Sequence, residues 1–312
     1  MPSRLSRLLI RNLKWMSISL FLLAVPARGQ EINLKGAIDF HVHSSPDSTP
    51  RSIDADDLAR LAKENGMRGL VLKSHHEDTA ALAYMVRKMV PGIEIFGGIT
   101  MDLSNGGINI EAVKWMTMMK GGLGRVVWMP TFDAESPMRK SGHMAPFVPV
   151  SKDGKLLPNV LELLDFIAQH HELVLETGHI SPEEGLMLIH EARQRGIMHL
   201  VVTHANNPLV DMSIPQMKQA AGEGAFLELD ANVGWGPKPQ KTYAECADMV
   251  RQVGAKYIII GTDFGSMQTP PRPLHPQGML DFMNALHAQG ISVDDLNTMT
   301  KTNPALALGL TP

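Results

Sequence analysis

The chain has 312 residues, 44% hydrophobic and 20% charged, with a formal net charge of −3. That length suits one large domain with a full core, and the near-neutral balance excludes a general electrostatic attraction to nucleic acid or acidic lipid. Thirteen histidines stand against a single cysteine, Cys246, which excludes an intramolecular disulfide framework and any Cys-rich zinc or iron–sulfur site.

The first thirty residues differ from the rest. Arg4, Arg7, Arg11 and Lys14 precede the apolar run 16–25, and small residues follow around Pro26-Ala27-Arg28-Gly29-Gln30. Basic, apolar, then cleavable is the order of a secretory signal, which predicts an exported, periplasmic or secreted protein with a mature part from residue 31. The apolar run is short for a membrane span, so no stable span is expected once the signal is removed. The long basic segment leaves an uncleaved anchor, or an upstream start error with a cytoplasmic product, as alternatives.

From residue 35 onward, short apolar runs alternate with longer amphipathic segments. Strands are predicted at 37–42, 69–73, 93–99, 125–129, 173–177, 199–203, 225–229 and 256–260. Helices are predicted at 54–65, 79–90, 110–120, 159–170 and 242–253, with another opening at Ser181, where Pro182 and Glu184 complete a capping box. Eight strand–helix units in roughly 270 residues match a closed (β/α)8 barrel. An open doubly wound sheet would carry a Gly-rich turn after its first strand, and here that turn reads His43-Ser-Ser-Pro-Asp47. The segment Thr131 to Pro158 is oversized for a loop. It contains a hairpin candidate at Asp153-Gly154 and reads either as a lid over the catalytic face or as a surface excursion.

Titratable residues collect at the C-terminal ends of these strands, which converge on one mouth in a barrel. His41 and His43 end the first, Lys73 and His75 the second, His179 the fifth, His204 the sixth and Asp263 the eighth. Residues i and i+2 on a strand share a face, so His41 and His43 can reach one cation, with Asp39 on the same side below them. The same parity pairs Lys73 with His75 and turns His76 away. Alone, His179 also reads as a helix-entry residue and His204 and Asp263 as turn formers. Together, three or more imidazoles and a carboxylate suit zinc, or manganese, iron or nickel.

These residues resemble the amidohydrolase superfamily of metal-dependent barrels. Asp39-Phe-His-Val-His43, Thr177-Gly-His179, Val202-Thr-His204 and Gly261-Thr-Asp263 fall at that superfamily's metal positions. The closing segment 303–310 is similar to its C-terminal helix. Val71-Leu-Lys-Ser-His75 and Phe96-Gly-Gly98 are similar to an uncharacterised branch of metal-dependent hydrolases. The resemblance implies His41, His43, His179, His204 and Asp263 as ligands and Asp263 as the proton acceptor. It implies that His204 can instead polarise the substrate, and that Lys73 and His75 orient it or stabilise negative charge. The fourth strand ends Trp128-Met-Pro-Thr131, without the bridging residue that many two-metal members carry. One ion is therefore favoured, and a second would need a carboxylated Lys73. Trp235 and Arg272, in loops after strands seven and eight, are candidate pocket residues, and Arg272 could pair with a substrate anion.

The reading that follows is a hydrolase that uses a metal-activated water on a C–N or C–O bond of a small amide, cyclic amide, lactone or ester. The alternatives are a nonoxidative decarboxylase, a phosphoesterase of the polymerase-and-histidinol-phosphatase type, and a metal-binding protein without turnover. Oligomeric state is not legible.

Overall fold

The computed structural model describes residues 31–142, 146–267 and 271–312. The proposed signal segment lies outside the described residues. Eight parallel strands form one sheet in chain order: β1 (Ile38–Val42), β2 (Gly69–Leu72), β3 (Glu94–Thr100), β4 (Gly124–Trp128), β5 (Val174–Glu176), β6 (Leu200–Val202), β7 (Phe226–Asp230) and β8 (Ile258–Gly261). Past β8 the chain turns back onto β1. The Asp263 amide donates to the His41 carbonyl at 2.9 Å, and the His43 amide to the Phe264 carbonyl at 3.0 Å. These bonds complete the ladder between the last strand and the first, so the sheet is a (β/α)8 barrel.

The main helices that follow the strands are α1 (Ala55–Glu64), α2 (Ala80–Met89), α3 (Ile110–Thr117), α4 (Pro158–Ala168), α5 (Pro182–Gln194), α6 (Ile214–Gly222), α7 (Tyr243–Val253) and α8 (His275–Ala288). Each of the seven through α7 turns apolar side chains inward, as Leu58, Ala59 and Ala62 of α1 do. The capping box predicted for α5 is present. The Glu184 amide donates to Ser181 Oγ at 3.3 Å, and the Ser181 amide to Glu184 Oε2 at 3.1 Å. Neither α6 nor α8 was predicted, although each has a proline in its first turn. The eighth strand begins two residues later than predicted, because Ala255–Tyr257 forms a 3-10 turn after Gly254. Asn303, in the closing helix Asn303–Ala307, fixes this junction by donating to the carbonyls of Ala255 at 2.8 Å and Ile258 at 2.6 Å.

Two glycines of β3 show how tightly the strand is packed. A Cβ on Gly97 would lie 2.5 Å from the Thr79 carbonyl, and one on Gly98 would lie 2.1 Å from the Val126 carbonyl and 2.5 Å from the Trp128 ring. Glycine is required there because neighbouring backbone and an indole already occupy the space.

The long segment after β4 is structured. A short helix, Glu135–Lys140, is followed by a hairpin pairing Ser151–Lys152 with Lys155–Leu156. Asp153 and Gly154 turn it with φ of 50° and 73°, as a two-residue hairpin requires. Phe132, Pro137, Lys140 and Ser141 from this segment line the cavity at the mouth of the barrel, which places the excursion over the strand ends. Among the described residues, no helix is long and apolar enough to cross a membrane.

Candidate metal centre

The site begins at the seam between β8 and β1. His41 and His43 point from β1 and its end toward Asp263. His41 Nε2 lies 3.4 Å and His43 Nε2 3.1 Å from Asp263 Oδ1. Asp263 is fixed from its other side, where Asn232 Nδ2 donates to Oδ2 and, at 3.3 Å, to the backbone carbonyl. The rings of His204 and His179 continue the arc. Centroids lie 4.9 Å apart between His41 and His204 and 4.9 Å between His204 and His179. His75 closes it, 5.0 Å from His43 and 5.7 Å from His179. The potential ligand atoms of His41, His43 and Asp263 lie within 4.8 Å of one another, and those of His41, His204, Glu228 and Asp230 form a second such group.

Hydrogen-bond logic tests whether the triad suits a cation. His43 Nδ1 lies 2.9 Å from the Lys73 carbonyl. A carbonyl can only accept, so Nδ1 carries the proton. Nε2 of the neutral ring is then a lone pair, and it faces a carboxylate oxygen, a second acceptor. Burial pulls the His43 pKa below its usual value despite the Asp263 contact, so the neutral ring is the favoured form. A cation held there would satisfy both acceptors, which lie 3.1 Å apart. Nε2 of His41 and Nε2 of His179 are also buried and have no hydrogen-bond partner among the described residues. The residues therefore fit a divalent ion with nitrogen and oxygen ligands.

The far sides of the imidazoles are held as well. His41 Nδ1 lies 3.1 and 3.2 Å from the two oxygens of Glu228, and His204 Nδ1 lies 2.6 Å from Asp230 Oδ2. Asp230 is itself held by its own amide donating to Asn206 Oδ1 at 2.8 Å and by Asn207 Nδ2 at 3.2 Å. Carboxylates behind ligand imidazoles orient the ring and raise its basicity. For His204, burial alone would lower the pKa, but the charge and hydrogen bond of Asp230 leave it raised. Burial lowers Asp263's tendency to ionise, and the imidazoles led by His41 reverse this and hold it below the usual carboxylate range. His204 and Asp263 also share a left-handed backbone, with φ of 58° and 50°, an unusual conformation that concentrates at functional sites.

Lys73 follows Leu72, the last residue of β2, and points into the barrel as strand parity suggests, among Trp128, Glu176 and Glu228. Lys73 is buried beneath the site, with Nζ 5.4 Å from the Trp128 ring centroid and no hydrogen-bond partner among the described residues. It is absent from the cavity lining. Burial lowers its pKa, and the charge of Glu176 works hardest in the opposite direction, followed by Asp263 and Glu228. Burial and the neighbours Glu176 and Asp230 push Glu228 upward, and Lys73 counters them. Lys73 is therefore the counter-charge of a buried acidic chamber.

His75 does line the cavity, whereas His76 does not. His75 Nδ1 lies 2.8 Å from Thr131 Oγ1. The Thr131 hydroxyl donates to Asp102 Oδ2, and Asp102 Oδ1 accepts the Thr131 amide at 2.7 Å. With the hydroxyl proton directed to Asp102, Thr131 accepts from His75 Nδ1–H, and His75 presents an unprotonated Nε2. Arg272 lines the cavity, and Trp235 is half-buried outside the lining.

Sequence reasoning missed Glu176, Glu228, Asp230, Asp102 and Thr131. Glu228 and Asp230 carried a signal: acidic residues at i and i+2 in the apolar strand Phe226-Leu-Glu-Leu-Asp230 share the face that points into the barrel. Asp102 and Thr131 are 29 residues apart and meet only in three dimensions.

The fold and this histidine-rich mouth define a (β/α)8 barrel with a candidate metal centre at its strand ends. The model described as "Family of unknown function (DUF6282)" matches residues 36–228, more than half of the chain, and the protein belongs to that family. No curated protein matches the sequence. Among solved structures, the organophosphorus hydrolase from Deinococcus radiodurans is similar with a TM-score of 0.61 at 15% identity, covering 88% of this chain and 92% of its own. A Pseudomonas putida protein provisionally described as 2-pyrone-4,6-dicarboxylic acid hydrolase gives 0.61 at 16% identity, with 89% and 98% covered. An amidohydrolase from Pseudomonas aeruginosa gives 0.59 at 13% identity, with 87% and 95% covered. At these identities the likeness is one of fold.

Proposed function

We propose that the protein is a metal-dependent hydrolase of the amidohydrolase type, acting on a C–N or C–O bond of a small amide, cyclic amide, lactone or ester. The observation that carries this reading is the pair of acceptors, His43 Nε2 and Asp263 Oδ1, facing each other at 3.1 Å beside the unpartnered Nε2 of His41. The hydrolase names of the structural neighbours support it.

His41, His43 and Asp263 would hold one divalent cation, most simply zinc, with His179 and His204 at its margin. Manganese, iron or nickel would suit the same donors. Such an ion supplies Lewis acidity, which moves the pKa of a bound water from about 15.7 toward about 7 in favourable sites. Asp263 takes the proton of the attacking water and returns it to the leaving group. His204, backed by Asp230, polarises the scissile group. His75 Nε2 accepts a hydrogen bond from the substrate. One ion is preferred because the end of β4 carries no bridging residue, and a second would need a carboxylated Lys73. The decarboxylase alternative rests on the resemblance and on a cationic Lys73 near the metal, and a substrate screen separates it from hydrolysis. Export is proposed from the first thirty residues alone, and N-terminal sequencing of the mature protein tests it.

The deciding experiment is metal analysis of purified protein, followed by a screen of lactones, esters and amides against carboxylated aromatics. About one equivalent of metal with turnover of a lactone, ester or amide supports the reading. Failure to bind any divalent ion after supplementation sinks it.

A further inference from the structure

The cavity over the imidazole arc has a volume of about 590 Å³, the size of a small-molecule site. Its charged lining is uneven: Arg51, Lys140 and Arg272 stand against the single carboxylate Asp263.

The three cations are not equivalent. Arg51 is already answered, with Nη2 2.8 Å and Nε 2.9 Å from Asp47 Oδ2 and Nη1 donating to Ser266 Oγ at 3.2 Å. Lys140 is an exposed rim residue without an ion pair among the described residues. Arg272 is half-buried, and no carboxylate oxygen of the described residues lies within ion-pair distance of it. Its one hydrogen bond among them is a long 3.5 Å contact from Nη1 to the Asp263 carbonyl. Nε is buried without a partner. The guanidinium is braced 5.7 Å from the Phe264 ring centroid. Arginine presents a planar fork that matches a carboxylate in two parallel hydrogen bonds. A braced fork with idle donors on a cavity wall is a receptor for an anion that arrives with the ligand.

Another part of the lining supplies a complementary feature. Phe132 is 49% exposed, and one face stacks on His75 with centroids 3.7 Å apart and planes 13° from parallel. That stack fixes the ring and leaves an aromatic surface to the cavity, a platform for a flat partner.

We propose that the site takes a planar cyclic carboxylate, its carboxylate on Arg272 and its ring against Phe132. Arg272 and Phe132 are then the specificity-determining residues. This deepens the hydrolase reading by naming the substrate class, and it rests on that reading only for the bond that is cleaved.

The test is calorimetric binding to the metal-free full chain at fixed ionic strength, with four probes: benzoate, benzamide, cyclohexanecarboxylate and phenyl phosphate. Benzoate binds at least about tenfold more tightly than benzamide, which lacks the charge. Cyclohexanecarboxylate, which keeps the charge but not the flat ring, falls between them. Arg272→Gln removes the preference for benzoate over benzamide, Arg272→Lys restores part of it, and Phe132→Leu removes the preference for benzoate over cyclohexanecarboxylate. Thermal denaturation of each variant confirms that it is folded. Equal binding of benzoate and benzamide, no binding of any probe, or benzoate affinity unchanged in Arg272→Gln overturns the proposal. Tighter, Arg272-dependent binding of phenyl phosphate overturns the carboxylate assignment. The readout needs neither metal nor turnover. Arg272-dependent benzoate binding with no hydrolysis of any ester or amide would therefore retain this inference and sink the hydrolase reading.

Discussion

The two sides of the barrel mouth hold their imidazoles by different means. On the side of β6 to β8, His204 and His41 are backed by Asp230 and Glu228, both wholly buried. Toward β2 and β4, His43 and His75 are backed by neutral oxygens, the Lys73 carbonyl and the Thr131 hydroxyl. A carboxylate adds basicity as well as orientation, whereas a neutral oxygen chiefly fixes the tautomer. The contrast suggests a division of labour: an acidic half that would strengthen the hold on a cation, and a neutral half that presents lone pairs in set directions. His43 is where the halves meet, with a neutral oxygen behind it and Asp263 in front.

Four measurements can break or sharpen this division. Asp263→Asn should lower turnover by about 10²- to 10⁴-fold at saturating metal, the usual worth of a positioned proton acceptor, and should also weaken metal affinity, because it removes the carboxylate of the triad. Turnover left intact would remove Asp263 from proton transfer. Chelation should lower thermal stability in the resting protein. An ion present at about 100 times its Kd contributes roughly 2.7 kcal/mol, which differential scanning calorimetry resolves, and an unchanged Tm would show that the ion does not bind the native state. Glu228→Gln should weaken metal affinity by about 10- to 100-fold, read by competition with a chromogenic chelator. Thr131→Val should leave metal affinity untouched and cut kcat by about tenfold, with Thr131→Ser restoring it. That follows from losing one hydrogen bond whose absence leaves buried polar groups unsatisfied, at about 1–3 kcal/mol. If Glu228→Gln and Thr131→Val had the same profile, the two sides would not differ in function.

Much of the frame was legible because it is periodic. Apolar runs bounded by Gly and Pro marked all eight barrel strands, and Ser181-Pro-Glu-Glu184 marked the start of α5 by local chemistry. The ends of the strands were legible too, since a barrel gathers them at one mouth whatever their separation in sequence. The residues behind that mouth were harder to read. Glu228 and Asp230 had the right alternation, but an acidic pair in an apolar strand gains meaning only once the imidazoles in front are known. Asp102 and Thr131 have no local signature, because their partnership depends on the loops after β3 and β4 meeting.

The left-handed turns at His204 and Asp263 bear on which sequences can occupy this mouth. At a φ near +50°, β-branched residues are strongly disfavoured, while Gly, Asn, Asp and His are tolerated. The backbone thus narrows the alphabet at both positions to a few letters, and among these Asp and His bring the stronger donors for a transition-metal ion. A lineage that abandoned the metal would be expected to drift first to Asn or Gly at 204 and 263, long before Val or Ile. The turn would remain as a record of the site after its chemistry had gone.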